Sequence, residues 1–138
     1  MKFIDELKGE HRAIEACFAE FGATDIFAEQ KAVVQKLVDV ALSHLKKEDE
    51  VLYPALANAQ ALEIKRLGDA FASVMKEYSA RFVELTGQLL ASESAFDPTL
   101  VTQFLLVRDR IKNRIVLEEG MLYPAYEIIT GMERAKQL

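Results

Sequence analysis

The stretch SHLKKEDEVLYP, residues 43–54, places a histidine and a glutamate four residues apart. His44 and Glu48 fall where the helical pattern of the preceding residues would put apolar side chains facing a core. The i, i+4 spacing brings both side chains to one face of a helix. A buried carboxylate is costly unless a cation or hydrogen bonds compensate. The stretch therefore predicts a helix whose core-facing side carries a paired polar site.

The chain repeats this stretch in its second half. EDEVLYPA at residues 48–55 recurs as EEGMLYPA at residues 118–125, which indicates that each half is one helical hairpin. Aligning the halves leaves neither histidine with a histidine counterpart. The aligned pairs are His11 with Tyr78, His44 with Arg114, Glu48 with Glu118, Tyr53 with Tyr123 and Pro54 with Pro124.

Four segments carry apolar residues at alternating spacings of three and four, which marks one buried face of a helix. Each stripe also contains a polar residue. The stripes are Ile4, Leu7, His11, Ile14, Phe18 and Phe21; Val34, Leu37, Ala41, His44, Glu48 and Val51; Leu67, Phe71, Val74, Tyr78, Phe82, Leu85 and Leu89; and Leu100, Phe104, Val107, Ile111, Arg114, Glu118 and Met121. Antiparallel packing of these helices predicts one buried polar layer.

Local signals place the ends of these helices. Gly22 is suited to ending the first, the third spans about residues 61–91, and Asp97 followed by Pro98 forms a cap and first turn for the fourth. Pro54 marks either a kink or the start of a new turn. Connections of roughly eight to ten residues favour antiparallel neighbours. We predict an all-α, up-down-up-down four-helix bundle.

We expect one domain over residues 1–138, with a short extra helix at the C-terminal end. The segment after Pro124 keeps apolar residues that can cover the end of the bundle or contact a second subunit. They are Tyr126, Ile128, Ile129 and Met132. We therefore expect either a monomer or a homodimer.

Composition narrows the classes of function. The 138 residues are 51% hydrophobic, which suffices for a core without disulfides, and the lone Cys17 is expected to be a small buried hydrophobe. A net charge of −5 argues against nucleic acid, whose phosphates bind Lys and Arg. No apolar run approaches the roughly 18 residues of a membrane span, and the charged N-terminus is unlike a signal peptide. We expect a cytoplasmic protein that binds no membrane.

The buried carboxylates of the polar layer need compensation, and the sequence offers two sources. One is a metal ion, because imidazole and carboxylate suit iron, zinc and manganese, and a bundle core is a common place for such a site. The four ligands would be His11, His44, Glu48 and Glu118. The other source is the guanidinium of Arg114, and the two sources can act together.

Two enzyme classes fit the sequence less well. A ferritin-like di-iron oxidase needs two E-x-x-H pairs, but Ala41 and Lys8 stand three residues before the two histidines. Metal-dependent hydrolysis needs an open coordination position and a general base. Asp49 and Glu119 are acidic neighbours of the layer, but we expect both to face solvent. We therefore expect a binding protein rather than an enzyme.

These residues resemble the hemerythrin-like proteins that carry the HHE cation-binding domain, and the resemblance covers nearly the whole chain. The pattern of that family is a histidine on one helix and H-x-x-x-E on the next, given twice. His11 within GEH, together with His44 and Glu48 within HLKKEDEVLYP, matches the first half of the pattern. This resemblance implies a bundle with a non-haem di-iron centre that serves oxygen binding, oxygen or redox sensing, or iron handling.

The second half of the family pattern matches in position but not in chemistry. Glu118 within LEEGMLYP keeps the carboxylate, whereas Tyr78 and Arg114 stand where the family has histidines. Tyr78 is either a phenolate ligand or a core tyrosine that hydrogen-bonds a carboxylate, and its place in an apolar stripe favours the second. Arg114 keeps its charge at ordinary pH and would repel a second cation. We therefore expect one ion, iron or zinc, instead of two.

Our specific hypothesis puts Arg114 at the position of the missing metal, paired with Glu118 alone or with both Glu118 and Glu48. That leaves a one-metal site at His11, His44 and Glu48, with dioxygen as a second partner that the resemblance implies. The alternative is a metal-free regulatory or protein-interaction module of the same fold, whose polar core is held by the salt bridge between Arg114 and Glu118. Metal analysis distinguishes the two.

Overall fold

Long helical segments account for almost all of the chain. The structure, a computed structural model, describes the backbone of residues 1–137 and the side chains of residues 1–131, and this part contains no strand. The helices are α1 Lys2–Ala23, α2 Phe27–Lys47, α3 Tyr53–Ala57, α4 Leu62–Ala91, α5 Pro98–Leu117 and α6 Tyr123–Gln137. Two π-helical turns, Glu48–Leu52 and Glu118–Leu122, join α2 to α3 and α5 to α6. The predicted all-α four-helix bundle is confirmed.

The links between the long helices are short, which places consecutive helices side by side and antiparallel. Residues 24–26, 58–61 and 92–97 form the links, so the predicted length of eight to ten residues was too long. The helices extend past their apolar stripes, which takes up the difference. The predicted start of α5 is confirmed: the Asp97 side chain accepts a hydrogen bond of 2.8 Å from the backbone N–H of Thr99, and Pro98 occupies the first turn.

The two π turns shift the helical register by one residue. In the first turn, the N–H of Tyr53 donates to the carbonyl of Glu48, five residues back. The inserted residue moves Leu52 into the core, where it is fully buried, and leaves Val51 41% exposed. The second π turn does the same, since Leu122 is buried and Met121 is 49% exposed. The predicted burial of Val51 and Met121 was therefore wrong.

Pro54 lies in the first turn of α3, where a missing backbone N–H costs least. Of its two predicted roles, the start of a new turn is the one observed. The predicted C-terminal helix is α6, which follows α5 directly through the second π turn. In α6, Ile129 is buried and Ile128 is exposed, while Tyr126 packs against Phe3 with ring centroids 5.6 Å apart. Met132 lies outside the described side chains.

Two apolar clusters fill the bundle and leave a polar layer between them. One contains Phe18, Phe21 and Phe104, and the other contains Leu56 and Leu122. Along α1, Leu7 belongs to one cluster, Ile14 to the other, and His11 lies between them. Cys17 is buried in the first cluster, as predicted, and burial raises the pKa of its thiol. None of the described helices combines the length and apolar character needed to cross a bilayer.

Gly68 lets α4 pack closely on α3, and this contact gives a stability prediction. A Cβ atom at this buried position would lie 2.6 Å from Cβ of Leu56. We expect Gly68→Ala to lower the free energy of unfolding by about 1–3 kcal/mol through overpacking, measured by urea denaturation. Gly87→Ala is the matched control in the same helix, because a Cβ there meets open space. That change should raise stability by about 0.5–1 kcal/mol. Equal effects of the two changes would contradict the close contact.

Candidate metal centre

Four buried ionisable residues meet in the polar layer. His11, His44, Glu48 and Glu118 are each less than 5% exposed, and they come from α1, α2 and the two π turns. The Nε2 atoms of the two histidines lie 3.1 Å apart. His11, His44 and Glu118 each offer one ligand atom, and these three atoms lie within 4.8 Å of one another. The packing thus brings together residues that are far apart in sequence.

A carboxylate oxygen lies close to the Nε2 atom of each histidine. Oε2 of Glu118 lies 3.4 Å from Nε2 of His11, and Oε1 of Glu48 lies 3.3 Å from Nε2 of His44. Oε1 of Glu48 is fully buried and accepts no hydrogen bond within the described structure. A buried carboxylate oxygen without a hydrogen bond is costly, so this atom calls for a cation.

Two further glutamates orient the imidazole rings. Nδ1 of His11 donates to Oε2 of Glu119 at 2.7 Å, and Nδ1 of His44 donates to Oε1 of Glu10 at 2.9 Å. Because a carboxylate can only accept, this network assigns the proton of a neutral ring to Nδ1 and leaves the Nε2 lone pair facing the centre. The prediction that Glu119 faces solvent was wrong, whereas Asp49 is exposed as expected.

The outer glutamates are themselves paired with cations near the surface. Arg12 lies 2.5 Å from Oε2 of Glu119, and Lys47 contacts Oε2 of Glu10. Each histidine therefore stands at the inner end of a chain of cation, carboxylate and imidazole. Such chains fix the orientation of a metal-binding histidine and raise its basicity.

Tyr123 completes the layer from the second repeat. Its hydroxyl lies 3.0 Å from Oε2 of Glu48, 3.3 Å from Oε2 of Glu118 and 3.1 Å from Nε2 of His11. The side chain is fully buried, and burial together with the charges of Glu118 and Glu48 raises the pKa of its phenol. Tyr123 is therefore a neutral donor shared by two carboxylates in the metal-free protein. Sequence reasoning noticed this residue only as a member of the repeat.

Arg114 does not make the predicted salt bridge with Glu118. Its Nη2 donates to the carbonyl oxygen of Phe71 at 2.6 Å, and its guanidinium carbon lies 4.0 Å from the centre of the Phe71 ring. Within the described part of the chain, no carboxylate lies within 4.0 Å of this guanidinium. A backbone carbonyl and an aromatic face on α4 satisfy the cation instead. Glu118 belongs to the group formed by the histidines.

Tyr78 lines the same region but does not make the predicted hydrogen bond with a carboxylate. It is half-buried, and it borders a cavity of about 50 Å³ that is also lined by His11, His44, Glu118 and Arg114. Ser79 also lines the cavity, and the rest of the wall is apolar, including Ile14, Leu37, Met75, Phe82, Ile111 and Ile115. The cavity therefore connects the histidine group to the positions where the second half of the repeat lacks histidines.

The buried charges change how His44 titrates in the metal-free protein. Burial lowers the pKa of His44, but the carboxylate of Glu48, 3.3 Å from its Nε2, together with the charge of Glu118 and the hydrogen bond with Glu10, raises it to about 9. Burial also raises the pKa of Glu118. The raised pKa favours a second proton on the imidazole of His44 in the metal-free protein. A cation that binds here must displace this proton.

The raised pKa of His44 gives a pH-dependence prediction. A histidine whose folded pKa exceeds its usual 6.5 stabilises the fold fully below pH 6.5, and this contribution disappears as the pH rises through about 9. We expect the free energy of unfolding of the metal-free protein to fall by on the order of 3 kcal/mol across this window. Urea denaturation between pH 6 and 9.5 measures it. The His44→Gln variant should lose this fall, and an identical fall in that variant would assign it to another group.

The donor atoms of this layer fit a divalent cation. Two neutral imidazole nitrogens and two carboxylates suit iron, zinc or manganese, and each histidine has the carboxylate partner that metal-binding histidines usually have. The ligand atoms of His11, His44 and Glu118 lie within 4.8 Å of one another and are close enough to share one ion, whereas Oε1 of Glu48 lies 3.3 Å from Nε2 of His44 but does not belong to this group of three. The apolar clusters on both sides keep the donors dry.

Comparison with known proteins supports the same interpretation. The model of the family described as hemerythrin HHE cation binding domain matches residues 2–126. Searches of curated proteins and of solved structures gave no significant match. The family match covers most of the chain and includes His11, His44, Glu48 and Glu118. The chain therefore belongs to the hemerythrin HHE cation-binding domain family.

Proposed function

We propose that this chain binds one non-haem metal ion, iron in preference to zinc, through His11, His44, Glu48 and Glu118. The observation that carries the proposal is the pair of imidazole Nε2 atoms 3.1 Å apart, each with its Nδ1 held by a carboxylate. Two lone pairs that face each other repel unless a proton or a metal ion lies between them. Oε1 of Glu48, which lacks a hydrogen bond, supplies further negative charge at the same place.

The chemistry of the second half of the repeat favours one ion over two. Arg114 and Tyr78 replace the histidines that a second ion would need, and Arg114 carries a permanent positive charge in the buried layer. In a medium of low dielectric constant, this charge opposes a second cation nearby. The metal-free alternative depended on a salt bridge between Arg114 and Glu118, and it loses that support because Arg114 contacts Phe71 instead.

Within its family, the chain would act in oxygen or redox sensing or in iron handling, in the cytoplasm. The ion, when bound, would supply a redox-active centre with coordination positions left for a small molecule. The residues of the chain would hold and orient it, while Tyr123 keeps the two carboxylates together. The small cavity beside His11 and His44 supports access for a molecule of a few atoms.

Metal analysis of the purified protein tests this proposal. The protein is stripped with chelator, reloaded anaerobically with Fe(II) or with Zn(II), desalted and analysed by mass spectrometry for metal per chain. We expect one ion per chain for each metal. Two iron ions per chain would contradict the one-ion proposal, and no retained metal would support the metal-free module instead.

A further inference from the structure

The outer side of the helix that runs through α5, the second π turn and α6 carries a strip of exposed apolar side chains. Five of the eleven large apolar side chains that the described structure leaves exposed lie here. We call them the outer strip: Leu106, Val116, Leu117, Met121 and Ile128. Asn113 and Pro124, both exposed and uncharged, lie between its members. Scattered exposed apolar residues are ordinary, whereas a row of them on one surface marks an interaction site.

The first half of the repeat shows that the fold does not require this strip. Five positions of the corresponding helix carry charged or polar side chains where the second half has apolar residues or glycine. The pairs are Lys36 with Leu106, Lys46 with Val116, Lys47 with Leu117, Glu50 with Gly120 and Asn58 with Ile128. Lys36, Lys46 and Glu50 are largely exposed, so water covers this face in the first half. The apolar face of the second half therefore serves a contact outside the bundle.

Gly120 adds a second sign of such a contact. It lies in the middle of the outer strip, between Leu117 and Met121. A Cβ atom at Gly120 would meet no atom of the described structure within 4 Å, and its φ is not positive. Neither packing within the chain nor backbone conformation thus calls for glycine, which weakens a helix relative to alanine. A small residue at this place lets another helix approach closely, because the side chains at the contact set the distance between helices.

The charges beside the strip are arranged so that it complements itself. Lys112 lies toward its N-terminal end and Glu127 toward its C-terminal end, and neither makes an ion pair within the described residues. Asp109, near Lys112, is already paired with Arg108. A second copy laid antiparallel about an axis between residues 117 and 120 would bring Lys112 of each chain within about one helical turn, roughly 5 Å along the axis, of Glu127 of the other. One surface that binds its own copy in this way forms a closed twofold dimer.

We propose that the outer strip is the interface of a homodimer, in which the α5–α6 helices of two copies pack antiparallel. Leu106 of each copy then lies near Ile128 of the other, and Gly120 lets the helices approach at the centre. The strip from residue 106 to residue 128 is about 33 Å long and one helix wide, so its area is at the low end for stable dimers. We expect a dissociation constant that is roughly micromolar. The net charge of −5 disfavours an anionic membrane surface as the partner.

Sedimentation equilibrium of the unmodified protein over a range of concentrations tests the dimer. Val116→Lys introduces the residue that the first half carries at this position, and it places two like charges near the twofold axis. We expect this change to weaken dimerisation at least about a hundredfold. Val83→Lys is the matched control, because Val83 is 50% exposed on α4 and lies outside the strip. That variant should dimerise as the unmodified chain does.

A charge exchange tests the antiparallel arrangement with exposed residues only, so the fold is not disturbed. Lys112→Glu should weaken dimerisation about tenfold, and adding Glu127→Lys should restore it to within about threefold. A double variant as weak as Lys112→Glu alone would overturn the arrangement, and equal losses in Val116→Lys and Val83→Lys would overturn the interface. An unmodified protein that stays monomeric at about millimolar concentration, well above the expected dissociation constant, would overturn the dimer. If that monomer also binds anionic lipid vesicles, the strip belongs to a membrane surface instead.

Discussion

The His44→Ala protein is expected to bind iron or zinc at least about a hundredfold more weakly than the unmodified chain, and to retain no metal after desalting. The Nε2 atom of His44 lies at the centre of the layer, 3.1 Å from Nε2 of His11 and 3.3 Å from Oε1 of Glu48. Loss of an outer partner of a ligand alone costs about 10–100-fold in affinity, so loss of the ligand itself should cost more. The readout is the dissociation constant from competition with a chromogenic chelator.

Two controls make this result specific. Lys46→Ala changes an exposed residue two positions further along the same helix and should leave metal affinity unchanged. His11→Ala removes the opposite imidazole and should have an effect as large as that of His44→Ala. Circular dichroism and thermal unfolding of each metal-free variant establish that it is folded before metal is added. A folded His44→Ala protein that retains one ion per chain would exclude His44 as a ligand.

The sequence predicted the fold because burial imposes a period on each helix. Apolar residues spaced by three and four indicate which face of a helix points into the core. A polar residue within such a stripe is therefore predicted to be buried. His11, His44, Glu48 and Glu118 were recognised in this way, and the structure buries all four. The repeat helped further, because two copies of one hairpin place corresponding residues at the same depth.

The spacing of apolar residues did not predict the helical register near Pro54 and Pro124. Each π turn adds one residue to a helical turn, so the stripe after Glu48 continues at Leu52 rather than at Val51, and the stripe after Glu118 continues at Leu122. A period of 3.6 residues has no signal for one inserted residue. Both turns begin directly at a core glutamate, so the shift in register affects only the residues that follow it.

The sequence also did not predict which residue each charged group contacts. Arg114 was expected to pair with Glu118, but the geometry of α4 offers it the ring and carbonyl of Phe71. Glu10 and Glu119 lie outside the apolar stripes, so periodicity gave no reason to bring them to the histidines. Their one available signal is position, since each is the sequence neighbour of a residue in the buried layer.

The second large effect is expected when Glu119 loses its contact with His11. Glu119→Leu should lower metal affinity by about 100-fold, because the ring of His11 loses the acceptor that fixes its Nδ1 proton and its orientation. Glu119→Gln should cost about tenfold, since an amide oxygen can still accept the Nδ1 proton but carries no negative charge to raise the basicity of Nε2. The order of the two effects is thus part of the prediction.

The repeat supplies a matched control for this experiment. Asp49 follows Glu48 as Glu119 follows Glu118, but Asp49 is exposed and makes no contact with a histidine in the described structure. Asp49→Leu and Asp49→Asn remove the same charge next to a core glutamate, so they report the long-range electrostatic effect alone. Equal losses of affinity at the two positions would mean that charge is sufficient. A loss confined to Glu119 would mean that the hydrogen bond to His11 prepares the imidazole for a metal ion.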